Sequence, residues 1–271
     1  MPYHGFDAHS GAHMLRTDLS WIDPFIGIDS FTMPQPFFGP HPHAGMSAVP
    51  VMLPESEAGF INRDSLGDRS TIAPGDLHWT QAGRGMMHEE VPAVPGQAAH
   101  GLQVFVNLAS VNKQAEPVAF HVNHQDMPMV AGPGSSVRVI AGEFAGRASP
   151  IAHDARWVTK VNVLDVTLDA GASLDIAVKA GDNAIFVARS GSFMAEGGEI
   201  PAQAAIIFEV NGVQARITAG REKLRGVFFS GTPLNEPTYP KGPFMGNTAH
   251  DVAEYAMRFQ RGDMGSLSKS F

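Results

Sequence analysis

Residues 74–92 read PGDLHWTQAGRGMMHEEVP, and the fold turns on this stretch. Pro74-Gly75-Asp76 is a turn: Pro presets φ, Gly tolerates positive φ, and an Asp carboxylate bonds nearby backbone. Residues 77–80 follow as a short strand. Gly83-Arg84-Gly85 breaks the chain again, and His88-Glu89-Glu90 opens a further extended piece if strand geometry continues. Residues i and i+2 of a strand share a face. His88 and Glu90 then project together, an imidazole beside a carboxylate.

The same rhythm of short strands and Gly/Pro turns runs outward in both directions. Residues 48–53, 59–62 and 102–107 are strands of the first half; the last alternates and is rich in β-branched and aromatic side chains. In the second half, residues 136–141, 161–168, 174–178, 183–188, 204–209, 213–218 and 224–229 repeat the pattern. Asn211-Gly212 is a hairpin signal, because a type I′ turn needs positive φ at both central positions. The chain holds 29 Gly and 20 Pro, 49 of 271 residues or 18%. Average usage is about 12%, so turns are unusually frequent. Strands every 8 to 12 residues, roughly, indicate a sandwich or barrel. Only the end differs: Val252, Tyr255, Ala256 and Phe259 recur at helical spacing over residues 248–260, with Asn247 or Thr248 as cap and Gly262 as stop. The expected architecture is all-β: an arm over residues 1–20 carrying His4, His9 and His13, one β domain over 21–125, and a second over 126–271 that ends in the helix.

Composition excludes several classes. The net charge is -8 with no basic cluster, which argues against nucleic acid as a partner. The chain has no Cys, hence no disulfide framework and no thiolate metal site, which fits a reducing compartment. No apolar run suits a signal peptide or a membrane span. A cytoplasmic monomer is the expectation.

His41-Pro42-His43 is the second chemical feature. An extended HxH places two imidazoles on one face, and neutral imidazole is the commonest metal ligand. Taken alone, the pair also suits a surface loop with solvated histidines. Together with His88 and Glu90 it makes a shell of three imidazoles and one carboxylate. Such a shell suits iron(II), manganese or nickel and leaves coordination positions open. Other polar residues have plainer readings. His78 reads first as a hydrogen-bonded strand histidine, with a catalytic base or a residue supporting the metal ligands as the lesser alternative. His100, His121, His124 and His153 read as structural or surface, and Asp64 and Asp76 as turn residues. Arg84 reads as an exposed turn residue. Phe25, Phe31, Phe37, Phe38 and Met46 read mostly as core, with one or two available to line an aromatic substrate cavity.

Residues 21–108 resemble the N-terminal half of the pirin family of the cupin superfamily. The matching pieces are Ile22-Asp23-Pro24-Phe25, Gly39-Pro40-His41-Pro42-His43, Asn62-Arg63-Asp64-Ser65-Leu66-Gly67, the 74–92 stretch itself, and Gly101 to Leu108. Gly231-Thr232-Pro233-Leu234-Asn235-Glu236-Pro237, Gly242-Pro243-Phe244 and Asn247-Thr248 extend the likeness to the end of the chain. The resemblance implies two cupin-type β-barrels, double-sheet jelly rolls packed together. It also implies one divalent ion, iron(II) foremost and otherwise Mn, Ni, Co or Cu, held in the first barrel by His41, His43, His88 and Glu90. The second barrel would carry no metal, and no histidine occurs between Asp154 and Ala249. Five positions depart from the family's usual pattern: Ala44 for Arg, Ser47 for Glu, Pro50 for an aromatic, Asn62 for His and His78 for Gln. All five are expected to alter the wall or rim near the metal.

Bacterial pirins resemble enzymes that open the flavonol quercetin with O2. The resemblance therefore implies a metal-dependent dioxygenase acting on a small aromatic substrate, with Glu90 as ligand and proton acceptor. The alternative is a non-enzymatic, redox-responsive regulator that binds a protein partner.

Overall fold

The computed structural model describes residues 3–9, 12–15, 17–209 and 212–268, with backbone alone for 3–9 and 12–13. The side chains of His4, His9 and His13 lie outside the described residues, as does Asn211. The expected loose arm instead carries two strands, β1 (Tyr3–His9) and β2 (Ala12–Leu15). The chain divides into two compact units. The first holds residues 9–13, 25–124 and 235–271, and the second holds 1–8, 14–24 and 125–234.

The first unit contains β3 (Phe25–Met33), β4 (His41–His43), β5 (Met46–Met52), β6 (Phe60–Asp64), β7 (Arg69–Ile72), β8 (Leu77–Gln81), β9 (Met86–Pro92), β10 (Ala99–Asn107) and β11 (Val118–Val122). One antiparallel sheet runs β11-β8-β5-β10-β3, and another runs β4-β9-β6-β7. The 74–92 stretch supplies one strand to each: β8 to the first sheet and β9 to the second. Gly83 makes the crossing possible. Its φ is 51°, and a Cβ there would lie 2.2 Å from the Ala115 carbonyl oxygen. Only glycine combines that backbone with that approach.

The second unit contains β12 (Met129–Gly132), β13 (Ser135–Ala141), β14 (Glu143–Phe144), β15 (Arg147–Ala148), β16 (Val161–Leu168), β17 (Ser173–Ala177), β18 (Asn183–Ser190), β19 (Ser192–Ala195), β20 (Gly198–Pro201), β21 (Ala204–Ile207), β22 (Gln214–Thr218) and β23 (Leu224–Gly231). Its main sheet runs β12-β13-β16-β23-β18-β21-β1. Tyr3 pairs with Ile206 in that sheet, so the polar N-terminal segment is ordered by closing the edge of β21. The expected hairpin around Asn211-Gly212 does not form among the described residues. β21 pairs with β18 and β1, whereas β22 pairs with β17 in a separate sheet. The interior is apolar, built on Leu164, Phe186, Phe193, Ile217 and Phe228.

Past this unit lie β24 (Tyr239–Lys241), β25 (Phe244–Gly246) and α1 (Ala249–Arg261). Thr248 caps the helix and Asp251 closes a capping box. Gly262, with φ 78°, ends it. The helix was expected to finish the second domain, but it belongs to the first unit. The reason is its apolar face: Val252 and Tyr255 are buried with Ala44, Met87, Phe244 and Met264. Phe244 forms a β-bridge with Ala44, one residue past the HxH pair.

Candidate metal centre

β4 and β9 are antiparallel neighbours, with His41 opposite His88 and His43 opposite Met86. Directly opposed residues point to one side of a sheet, as do residues two apart. His41, His43, His88 and Glu90 therefore share a face. Asn62 and Asp64 of β6 join them, opposite Glu90 and His88. The three imidazoles are mutually close, with ring centroids 5.0 Å (His41–His43), 4.6 Å (His41–His88) and 4.9 Å (His43–His88) apart. A ligand nitrogen from each falls within 4.8 Å of the others, a group that can hold a metal ion. Glu90 is outside this set. Its Oε1 lies 3.6 Å from His88 Nδ1 and has no hydrogen-bond partner.

The surroundings prepare the rings for coordination. His41 Nδ1 donates to the Gly39 carbonyl at 2.9 Å, and His43 Nδ1 makes a longer contact of 3.4 Å to the Pro243 carbonyl. A carbonyl only accepts, so each Nδ1 carries the proton and each Nε2 keeps its lone pair. His88 is 1% exposed, and both of its nitrogens lack partners. Burial lowers the pKa of all three: His41 falls, His43 drops to about 3 with help from the neighbouring His41, and His88 goes well below the usual value. Neutral imidazoles are the ligand form. Desolvation pushes Glu90 up to about 7, the response of a carboxylate with no cation beside it. Orphaned nitrogens, a desolvated carboxylate and the absence of thiols all fit a hard or borderline divalent ion.

The opposite sheet forms the other wall. His43 and Phe105 of β10 have ring centroids 5.8 Å apart. Phe105 pairs with Ala48, and Ala48 with Thr80. Two residues along each strand, Gln103 pairs with Pro50 and His78 with His121. All of these side chains share the face turned toward the histidines. Of the five departures from the family pattern, Pro50, Asn62 and His78 sit on chamber-facing positions. Ala44 does not: it packs against Phe244 and Tyr255. Ser47, opposite Gln81 and Val106, is on the sheet's other face. Those two replacements leave the wall around the histidines intact, contrary to expectation.

Among the remaining residues, Asp64 accepts from the Leu66 and Asp68 amides and Asp76 from Ala73 and His124, as turn chemistry requires. Arg84 is half exposed beside Glu116. Phe25 and Met46 are buried, but Phe37 and Phe38 are exposed, and the Phe38 ring lies 6.0 Å from that of His41. His78 differs from its reading: it is fully buried, and neither ring nitrogen has a hydrogen-bond partner. The sequence marks Asn62 as a departure near the metal, but its place opposite Glu90 depends on the β6–β9 register, which no local pattern records.

Two β units, one with three histidines converging between paired strands, define a double cupin with a metal-type centre. The comparisons agree. Residues 11–106 match the family model described as Pirin, and residues 163–265 match the one described as Pirin C-terminal cupin domain. A Pirin-like protein of Solanum lycopersicum is 34% identical over 92% of this chain and 84% of its own length. Pirin of Homo sapiens is 32% identical over 92% and 86%. The chain belongs to the pirin family. Among solved structures, a Quercetin 2,3-dioxygenase from Acinetobacter baumannii is 27% identical with a TM-score of 0.86, covering 99% of this chain and 98% of that one. No helix among the described residues is long and apolar enough to cross a membrane.

Proposed function

We propose that this chain is an iron(II)-dependent dioxygenase that opens the heterocyclic ring of flavonols such as quercetin. The carrying observation is the cluster of three neutral imidazoles, His43 and His88 buried and His41 half-buried, with ligand nitrogens within 4.8 Å of one another. The full-length likeness to a quercetin 2,3-dioxygenase supports the substrate class.

In this reading His41, His43 and His88 hold the ion and Glu90 completes the shell. The bound ion supplies Lewis acidity and a template that orients the substrate. The chain supplies the rest. The carbonyls of Gly39 and Pro243 fix the His41 and His43 tautomers, so both Nε2 lone pairs stay aimed inward. Glu90, the buried carboxylate beside His88, would take the proton of the flavonol 3-hydroxyl. Phe105 and Ala48 give the chamber an apolar side suited to a planar ring. Iron-loaded protein is expected to consume O2 with quercetin, and His41→Ala to abolish this. Absence of turnover with iron, manganese, nickel, cobalt and copper would reject the assignment.

A further inference from the structure

His78 stands in the middle of β8 with 0% exposure, and neither ring nitrogen is paired. A buried polar group without a partner costs free energy, and native proteins keep few of them. Here several are gathered. Thr80 Oγ1 and His121 Nδ1 are buried and unpaired on the same face of the sheet. Asn62 Oδ1 and Glu90 Oε1 are buried and unpaired on the histidine sheet, whose His43 meets Phe105 of the first sheet. Packing alone would favour apolar side chains at such positions. A concentration of unmet hydrogen-bonding capacity next to a candidate centre marks a place kept for a ligand at the expense of stability.

We propose that His78 binds a hydroxyl of the aromatic ligand whose other oxygen is held at the three-histidine centre, and thereby selects which hydroxylated aromatics the chamber accepts. This rests on the flavonol reading above. His78 lies on the same face of its sheet as Phe105, whose ring meets that of His43, so one planar ligand along that wall faces both His78 and the histidine centre. Burial holds His78 down to about pKa 4, which makes the neutral ring the form present near pH 7. Neutral imidazole offers one N–H donor and one lone pair, and a phenolic hydroxyl offers the complementary acceptor and donor. A carboxylate would use only the N–H. His121, with its ring 5.9 Å from His78 and partly exposed, extends the polar lining toward solvent.

The test uses iron(II)-loaded full-length protein under anaerobic conditions. Wild type, His78→Leu and His78→Gln are titrated with quercetin, which has several ring hydroxyls, and with 3-hydroxyflavone, which keeps only the 3-hydroxyl. Wild type is expected to prefer quercetin. His78→Leu should weaken quercetin binding by about tenfold, leave 3-hydroxyflavone and iron content unchanged, and raise Tm because two unpaired buried nitrogens are gone. His78→Gln should keep most of the preference. Equal changes for both flavonols, no change for either, or a fall in the Tm of His78→Leu would overturn the assignment. Binding of neither flavonol to wild type would instead overturn the flavonol reading, and the role of His78 with it.

Discussion

The carbonyl of Pro243 contacts Nδ1 of His43 at 3.4 Å across 200 residues of sequence. The C-terminal segment thus reaches the candidate centre directly. It is anchored by Tyr255, which is fully buried against Ala44 and Phe244, with its hydroxyl 3.4 Å from the Lys113 carbonyl.

Tyr255→Ala should therefore cost about 3–5 kcal/mol of stability, the usual range for emptying a buried aromatic site. Metal occupancy should fall with it, because the cavity undercuts the segment that holds His43. Urea unfolding followed by elemental analysis of the folded fraction measures both. Full occupancy with normal stability would show that the helix is a passive appendage.

Lys113 is the second anchor. Its Nζ is buried and donates to Gly45 O at 2.8 Å, Asn107 Oδ1 at 2.7 Å and Met245 O at 3.1 Å. Three acceptors depend on one ammonium. Lys113→Met fills the volume but strands those acceptors, at a cost of about 2–4 kcal/mol. A midpoint of denaturation equal to wild type would mean that water replaces the ammonium without penalty.

Gly83→Ala tests the turn that divides the 74–92 stretch between two sheets. An alanine there combines positive φ with a clash against the Ala115 carbonyl. The expected loss is at least about 2 kcal/mol, read as a lowered Tm. Gly67→Ala is the control: it shares the positive φ, but its Cβ would meet nothing, so it should lose less.

Metal affinity should depend on pH through Glu90 rather than through the histidines. Burial keeps His43 neutral down to about pH 3, while Glu90 titrates near 7 in the metal-free protein. The carboxylate is the binding form. Protons compete as pH falls below 7, and apparent affinity should drop by about tenfold per unit. Above 7 it should level off. Competition with a chromophoric chelator between pH 5 and 8 reads the slope, and Glu90→Gln should flatten it. A slope of two or three protons would assign the dependence to the imidazoles.

Much of this site is legible in the sequence because strand geometry makes spacing informative. His41/His43 and His88/Glu90 are each two apart, so each pair shares a face wherever the strand lies. That His41 falls opposite His88 is a matter of register, which no local pattern records. The helix is likewise readable from its period and from Thr248 and Gly262. An apolar stripe says that a helix packs, not against what, and so its place beside Ala44 was missed. The N-terminal strands escaped notice because their polar sequence gains order only from a pairing partner distant in the chain. Hydrophobicity places Phe38 among residues that are mostly core and partly cavity lining, and its exposure beside His41 is a property of the loop. For His78 the sequence favours the hydrogen-bonded reading, because a sequence shows a histidine, not whether its nitrogens find partners.

One measurement bears most directly on the centre: anomalous diffraction at the iron edge from crystals of tag-free, iron-loaded protein. A single strong peak is expected per chain, in the first unit, about 2.0–2.2 Å from one nitrogen each of His41, His43 and His88. No peak there, or a peak elsewhere in the chain, would contradict it.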